Sequence, residues 1–113
     1  MKTQSAKAKG RRLVAYIREK LLEWAPDDLR PGDIEVPATS QPGADLWLSP
    51  KAKEIYPFCI EAKNTETIQV WAAYEQAKRH RKDPAEIPLV VYSRNRSDVM
   101  VTLKFEDFLR LTR

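Results

Sequence analysis

Two acidic residues and one lysine have the types and spacing that phosphodiester chemistry requires. Glu61 and Lys63 flank a single alanine, and Asp45 lies sixteen positions before Glu61. Residues two apart on a β-strand point to the same face, so a strand here would place Glu61 and Lys63 side by side. With the carboxylate of Asp45 from a neighbouring strand, two acids could hold a divalent cation while the lysine positions or activates a water. This pattern predicts metal-assisted hydrolysis.

Each of the three residues also has a purely structural interpretation. Asp45 follows a glycine-containing loop, where aspartates often satisfy backbone groups. Glu61 and Lys63 could form an ordinary ion pair at a sheet edge. However, Glu61 lies between Ile60 and Ala62 in a segment with the pattern of a buried strand, and buried carboxylates are rare unless they are paired or bind a metal. The strand context and Asp45 therefore favour the catalytic interpretation.

The elements that must position these residues follow from the apolar pattern. A helix from Lys9 to Trp24 is predicted by a stripe at helical spacing: Leu13, Val14, Ile17, Leu21 and Trp24. Ser49 and Pro50 have the residue types of an N-cap and first helical position. Strands are predicted at 34–36, 45–48, 58–63, 88–93 and 99–103, and further helices at 51–55, 67–82 and 105–111.

The order α-β-β-β-α-β-β-α predicts an α/β fold with a mixed sheet flanked by helices, and a site where the central strands diverge. At 113 residues the chain has the size of one domain. We expect a flexible basic tail over residues 1–8 and a single domain over 9–113.

Several large apolar side chains are expected to be buried. Trp71 is predicted to lie in the core or at a dimer contact rather than to stack on bases. In the last helix, Phe105, Phe108 and Leu109 are predicted to face inward.

Bulk properties narrow the function classes. The net charge is +4, and its basic residues fall into two runs that could contact a phosphate backbone, although the second run also suits a helix end. No apolar stretch is long enough for a membrane span. The lone Cys59 fits a reducing cytoplasm and has no predicted histidine partner that would make it a nucleophile. His80 is predicted to be a helix-end residue rather than a catalytic base.

The residues Gly43-Ala44-Asp45 and Glu61-Ala62-Lys63, in this order of elements, resemble the PD-(D/E)xK nuclease superfamily. Within it the chain looks most similar to small phage endonucleases and Holliday-junction resolvases. The pair Glu75-Gln76 on the helix after the lysine strand also fits, since resolvase-like sequences often carry it there.

The resemblance implies a restriction-endonuclease-like fold with an α-β-β-β-α-β core, and a role for each site residue. Asp45, Glu61 and the backbone carbonyl of Ala62 would ligate Mg²⁺ or Mn²⁺, and Lys63 would orient or deprotonate the attacking water. Gln76 would hold a phosphate or a water from the second helix. Resolvases usually carry a further glutamate on the first helix. Glu19 is the nearest acid that could replace it, and Glu23 is the next. A third alternative is that no acid of this helix belongs to the site.

The resulting expectation is a Mg²⁺-dependent endodeoxyribonuclease that hydrolyses branched or junction DNA as a homodimer, in the cytoplasm of a bacterial host if it is phage-encoded. Junctions, flaps, nicked duplexes and ordinary duplexes share the same backbone chemistry, so the substrate stays open. The alternatives are a non-catalytic nucleic-acid-binding module with a nuclease-like fold, and an interaction protein in which Glu61 and Lys63 are structural. The residues expected to grip DNA are Lys9, Arg11, Arg12, Lys78, Arg79, Arg81 and Lys82.

Overall fold

The structure is a computed structural model that describes residues 2–38 and 41–113. The helices are α1 Lys2–Trp24, α2 Pro50–Ile55, α3 Val70–Arg79 and α4 Phe105–Leu111. The strands are β1 Ile34–Glu35, β2 Trp47–Leu48, β3 Phe58–Asn64, β4 Ile87–Ser93 and β5 Met100–Thr102, and a 3₁₀ turn at Pro31–Asp33 precedes β1. The observed order is α-β-β-α-β-α-β-β-α, which equals the stated order once the short helix predicted at 51–55 is placed between the second and third strands.

The larger ladder, which comprises the three strands β3, β4 and β5, is mixed: it contains both a parallel and an antiparallel pair. Strand β4 lies between β3, which runs parallel to it, and β5, which runs antiparallel. Strands β1 and β2 form a separate antiparallel ladder within the described residues. A backbone hydrogen bond from Asp45 N to Ile60 O (3.0 Å) connects the segment leading into β2 with β3. An α/β fold with a mixed sheet flanked by helices is therefore confirmed.

The two faces of the larger ladder are covered by different helices. On one face, Leu13 and Ile17 of α1 belong to the same buried cluster as Ile60 of β3. On the other face, Ala73 and Ala77 of α3 pack with Val90 of β4. Alanines on this helical face bring the α3 backbone close to the sheet, so polar side chains beside them can reach β3.

The N-cap of α2 is confirmed and is tied to the turn before β1. Ser49 Oγ accepts a hydrogen bond from Ala52 N (3.0 Å) and donates one to Asp33 Oδ1 (2.7 Å). The other oxygen of Asp33 accepts from Arg30 N (2.8 Å). The bond from Arg30 and then that from Ser49 lower the pKa of Asp33, because both favour the charged carboxylate.

The first helix begins earlier than predicted. It starts at Lys2 rather than Lys9, because the alanines, lysines and glutamine of this segment favour helix and no proline interrupts them. Met1 lies outside the described residues, and the division into a tail and a domain stays a prediction. Trp24, expected in the apolar stripe, is 79% exposed. Tyr56 Oη donates to Leu21 O (2.6 Å) near the start of β3, so the last turn of α1 extends past the sheet.

Predicted burial in the core was also wrong on α3 and α4. Trp71 is 83% exposed, because α3 turns its alanine face to the sheet and Trp71 lies on another face; its alternative placement at a dimer contact stays a prediction. Phe105, Phe108 and Leu109 are 71%, 49% and 45% exposed, whereas the residue that α4 buries is Asp107. The apolar face of α4 thus points away from its own chain.

No helix in the described part of the chain is both long enough and apolar enough to cross a membrane.

Candidate functional site

The side chains of β3 alternate between the two helices as predicted. Ile60 faces the α1 cluster, together with Phe58. Glu61 and Lys63 lie on the opposite face, where each contacts a residue from α3 or from the turn that ends it. The strand that was predicted from periodicity therefore orients both residues of the Glu61–Lys63 pair in the same direction.

Strand β3 and helix α3 match each other in spacing. Two strand residues span about 6.6 Å and four helical residues about 6 Å, so two contacts can form side by side. Lys63 Nζ donates to Gln76 Oε1 (2.8 Å). Four residues later, His80 Nδ1 lies 3.2 Å from Glu61 Oε1. Glu61 and Lys63 therefore have separate partners rather than forming the plain ion pair that a structural interpretation would require.

Glu61 is a buried carboxylate that its surroundings leave incompletely satisfied. The residue is 1% exposed, and Oε2 accepts no hydrogen bond from the described residues. The Nδ1 atom of His80 is close to Oε1, but its alignment is not that of a hydrogen bond, so the contact is an ion pair when the imidazole is protonated. Burial and then the charge of Asp45 raise the pKa of Glu61, against the opposing effects of His80 and Lys63.

Asp45 lies beside Glu61 because its carboxylate is bound to the next peptide of β3. Asp45 Oδ2 accepts a hydrogen bond from Ala62 N (2.7 Å). The N–H and C=O of one strand residue point to the same edge, so the carbonyl of Ala62 also faces this edge rather than β4. Within residues 2–38 and 41–113, strands β1 and β2 do not pair with β3, and the hydrogen bonds of Asp45 with Ile60 and Ala62 are formed along this edge of β3.

Lys63 and Gln76 open onto a surface cavity of about 300 Å³. Thr65 and Arg79 also line it. The cavity therefore brings an ammonium and a guanidinium group to the same opening, with an amide and a hydroxyl beside them. These groups are suited to an anionic oxygen ligand such as a phosphate group.

Glu19 lies away from these residues. It is exposed and lines a shallow depression with Glu35 of β1 and with Val36, which follows β1. Helix α1 runs antiparallel to β3, since Asn64 Nδ2 donates to Lys9 O (3.2 Å) at the far end of the strand. Glu19 is ten residues, or about 15 Å, from Lys9 along the helix axis. Its assignment to the site stays a prediction that this geometry does not support.

The basic run after Lys63 does not form a single surface. Arg79 lines the cavity of Lys63, whereas Lys78 and Arg81 line a different cavity on the other side of α3. Arg81 is engaged with the backbone through Pro84 O (3.3 Å). The ammonium of Lys82 lies 5.8 Å from the centre of the Trp47 ring, within the range of a cation–π contact.

The basic residues near the start of α1 lie on the opposite face of the sheet from α3. Arg11 and Arg12 are exposed, and Lys9 is half-buried. The bond between Asn64 and the Lys9 carbonyl places this part of α1 near the end of β3 that carries Lys63. The start of α1 and Arg79 therefore both lie near the end of β3 that carries Lys63.

His80 is the site residue that sequence reasoning missed. It was expected to be an ordinary helix-end residue, and it is indeed the C-cap of α3, but its ring also contacts Glu61. The signal was present in the spacing: Ala73, Gln76, Ala77 and His80 follow the i, i+3, i+4, i+7 pattern of a single helical face. Since the alanines face the sheet, the two polar residues must face it as well.

Cys59 also lies on the Glu61 face of β3 and is buried. Burial, followed by the charges of Glu86 and Glu61, raises the pKa of Cys59 to about 12. A thiol with so little thiolate at neutral pH is a poor nucleophile, in agreement with the prediction from sequence.

The donor atoms around Glu61 are of the type that hard cations prefer. The candidate ligands Asp45, Glu61 and the Ala62 carbonyl offer oxygen alone, which suits Mg²⁺ or Mn²⁺. The described residues do not form a group of three or more His, Cys, Asp or Glu side chains that could hold a metal. A site of two carboxylates completed by a backbone carbonyl contains fewer such side chains than that. The unsatisfied Oε2 of Glu61 is the atom that a cation would neutralise, so the residues fit the ion.

Comparison of the chain with protein-family models, with curated proteins and with solved structures found no match.

Proposed function

We propose that this chain is an endodeoxyribonuclease that depends on Mg²⁺ or Mn²⁺ and hydrolyses a phosphodiester in branched or junction DNA. The observation that carries the proposal is the buried carboxylate of Glu61, which has one unsatisfied oxygen. Asp45 lies beside it, and Lys63 follows two residues later on the same strand face. We further propose that the mixed sheet and its helices form the α-β-β-β-α-β core of a restriction-endonuclease-like fold.

A cation would be held by Asp45, Glu61 and the carbonyl of Ala62. When bound, such a cation supplies Lewis-acid polarisation of the phosphate and a more acidic water. The chain itself contributes rigidity, because the hydrogen bond between Asp45 and Ala62 N (2.7 Å) fixes one carboxylate relative to the strand that carries the other. The carboxylates of Asp45, before β2, and of Glu61 on β3 are therefore held close by a hydrogen bond to the strand itself.

Lys63 is the group best placed to stabilise charge on the reacting phosphate. Its ammonium is oriented by the hydrogen bond to Gln76 Oε1 (2.8 Å), and it faces the same cavity as Arg79. A positive charge held in position beside a partly buried site stabilises the negative charge that develops in the transition state. Gln76 acts by holding the ammonium, and Arg79 by binding a phosphate of the DNA strand.

The cleavage of a junction also sets the number of active sites. Two symmetric strands must be cut, and each chain has one candidate site, so a homodimer is part of the proposal. The exposed arginines 11 and 12 near the start of α1 would add sequence-independent contacts to the phosphate backbone.

A second candidate function is binding of nucleic acid without cleavage. The observation that favours it is the position of Glu19, which leaves the site with two acids rather than three. A nuclease-like fold in this form would bind junctions with a strong dependence on salt and would cut none of them.

The proposal is tested by incubating the purified protein with a four-way junction, a flap, a nicked duplex and a linear duplex, with Mg²⁺, Mn²⁺ or EDTA. We expect metal-dependent nicking, with preference for branched substrates. Lys63→Ala should lose cleavage but retain binding, because the phosphate contacts of Arg79 and of the α1 arginines remain. Lys20→Ala, which removes an exposed lysine paired with Glu23 (3.5 Å), is the matched control and should cut normally.

Two outcomes separate the candidates. Equal cleavage by the wild type and by Asp45→Ala would refute the assignment of the site. Salt-dependent junction binding without cleavage by any metal would favour the non-catalytic module.

A further inference from the structure

Helix α4 exposes its apolar face and buries a charged residue, which is the reverse of the usual arrangement. Phe105, Phe108 and Leu109 lie on one face and are 71%, 49% and 45% exposed. The residue buried against the rest of the chain is Asp107, whose Oδ1 accepts from Arg110 Nη1 on the same helix (2.6 Å). A helix of seven residues has little stability by itself and normally depends on packing of its apolar face. The exposed face of α4 therefore needs a partner.

A groove lies between α3 and the start of α4, and Phe105 at that end of the α4 face lines it. Trp71 is 83% exposed and lines a cavity of about 730 Å³ together with Phe105. Val70 and Tyr74 of α3 and Leu103 before α4 form further parts of its wall. We call the exposed side chains of Trp71, Phe105, Phe108 and Leu109 the α3–α4 patch.

We propose that the α3–α4 patch is the surface through which a second copy of this chain docks in a twofold dimer. The inference deepens the proposed function, because a nuclease that must cut two strands needs a second active site, and the second copy supplies it. The argument for the interface itself depends only on the exposed apolar face. Each copy would insert the aromatic side chains of α4 beside the groove that Trp71 borders in the other copy. Such an arrangement is self-complementary, as a twofold interface requires.

The size of the α3–α4 patch agrees with this occupant. From their exposed fractions, the four side chains present roughly 500 Å² of apolar surface, at about 150–250 Å² for each large side chain when fully exposed. A stable interface buries about 800 Å² on each partner, and about 65% of a homodimer interface is apolar. The patch supplies close to that apolar share, and the groove walls supply the remainder.

The charges at the rim of the patch favour a protein partner over a nucleic acid. Lys104 and Glu106 both lie at the start of α4, with a weak contact of 3.8 Å between them, and both are exposed. The groove itself is lined by the cations Lys78, Arg81, Lys104 and Arg110 and by the carboxylates Glu86 and Asp107. A rim with both signs can pair with its own copy across a twofold axis, whereas a phosphate backbone would require one sign.

The experiment is sedimentation of the full chain over concentrations from about 1 to 200 µM, in the range where homodimers of this interface size associate. We expect the wild type to sediment at twice the chain mass of 13.1 kDa. Trp71→Glu should raise the dimer dissociation constant at least about 100-fold, since a buried aromatic anchor is lost twice in a twofold interface. Phe105→Glu, on the other helix, should do the same.

Trp24→Glu is the matched control, because Trp24 is also highly exposed (79%) but lies at the end of α1. It should leave the dimer unchanged. Because Trp71 and Phe105 make few contacts within their own chain, circular dichroism should show both variants folded. If either variant is unfolded, the other still decides the question, and a folded dimer in both would overturn the proposal.

A wild-type monomer throughout the concentration range would overturn the proposal, as would dissociation by Trp24→Glu with a stable Trp71→Glu dimer. These results are independent of the chemistry. A Trp71→Glu monomer that still nicks DNA with Mg²⁺ but no longer cuts both strands of a junction would support the interface and the nuclease together. A dimer that never cleaves would refute the nuclease and leave the interface standing.

Discussion

Replacing Glu61 with glutamine should stabilise the metal-free protein while it removes metal binding. The side chain is 1% exposed, and Oε2 accepts no hydrogen bond from the described residues. A buried charged acceptor without a partner costs roughly 1–3 kcal/mol or more relative to a satisfied neutral group of the same shape. An amide can also donate to Nδ1 of His80, which is the second unsatisfied buried atom at this site.

We therefore expect Glu61→Gln to raise the free energy of unfolding by about 1–3 kcal/mol at pH 8 in EDTA, which corresponds to a rise in Tm of roughly 4 °C or more. The assay is urea and thermal unfolding followed by circular dichroism. Glu19→Gln is the control, because Glu19 is exposed and its charge costs little. Most substitutions of buried residues destabilise a protein, so a gain in stability would be a specific result.

The pH dependence of this difference has a definite sign. Burial and the charge of Asp45 raise the pKa of Glu61 in the folded state. Below the usual range of a carboxyl group, Glu61 is protonated in both the folded and unfolded states, so the wild type carries no penalty. As the pH rises, the unfolded state releases its proton first, and the stability contributed by protonated Glu61 is lost. The stability advantage of Glu61→Gln should therefore be absent at a pH below the usual carboxyl range and complete at pH 8.

Added metal should stabilise the wild type alone. A cation bound to the native state at 100 times its Kd stabilises by about 2.7 kcal/mol. Mn²⁺ should raise the Tm of the wild type and leave that of Glu61→Gln unchanged. A Glu61→Gln protein that is less stable than the wild type in EDTA at pH 8 would refute the reasoning, because the carboxylate would then be supporting the fold.

Three further predictions concern other parts of the chain. Arg79→Ala should raise the KM for DNA about 10-fold through the loss of one phosphate contact, with Lys20→Ala unchanged, as measured by steady-state cleavage. Cys59, with its pKa raised to about 12, should react with a disulfide reagent at least about 1,000-fold more slowly in the folded protein than in guanidinium, measured by absorbance at pH 8. Asp33→Asn should lower stability at pH 7, because the charged acceptor of Arg30 N and the partner of Ser49 is lost. Since the pKa of Asp33 is lowered, that advantage of the wild type should disappear as the pH falls below the usual carboxyl range, which urea unfolding at pH 7 and pH 3 will show.

The local features of the site could be predicted because each depends on a short-range rule. Alternation along β3 was enough to place Glu61 and Lys63 on one face, and Ser49 with Pro50 was enough to start α2. The buried strand β4 followed from its continuous apolar run, and residues Leu89 to Val91 are buried in the structure. These rules need neither the partner element nor the rest of the fold.

Features that depend on the orientation of one element against another were harder to predict. Helix α3 could present either its aromatic face or its alanine face to the sheet, and large apolar residues suggested the aromatic one. The sheet instead takes Ala73 and Ala77, because small residues let the helix lie close. That choice exposes Trp71 and brings His80 to Glu61. A single rotation of α3 about its axis therefore accounts for the exposed tryptophan and for the missed histidine.

The position of Glu19 was also hard to predict, because it depends on how far α1 is shifted along β3. Sequence alone shows that it is the first glutamate of the helix, but not where along β3 the helix places it. The contacts of Lys9 with Asn64 and of Leu21 with Tyr56 set that register and carry Glu19 away from Lys63. Any acid that completed the site from α1 would have to lie closer to the start of the helix.

Among the described residues, Glu61 and the exposed face of α4 depart from the ordinary rules of burial in opposite ways. At Glu61 a charge is inside without a full set of partners, and on α4 an aromatic face is outside without a cover. Proteins tolerate such departures chiefly where a ligand or another chain restores the balance. A cation would satisfy the carboxylate, and a second copy would cover the aromatic face. Both departures lie beside α3, whose sheet-facing side carries Gln76 and whose outer side carries Trp71. If both proposals hold, dimerisation through the outer side of α3 would steady the same helix that orients Lys63. The metal-dependent nicking rate of a Trp71→Glu monomer would then fall below that of the dimer even on a substrate with a single cleavable strand.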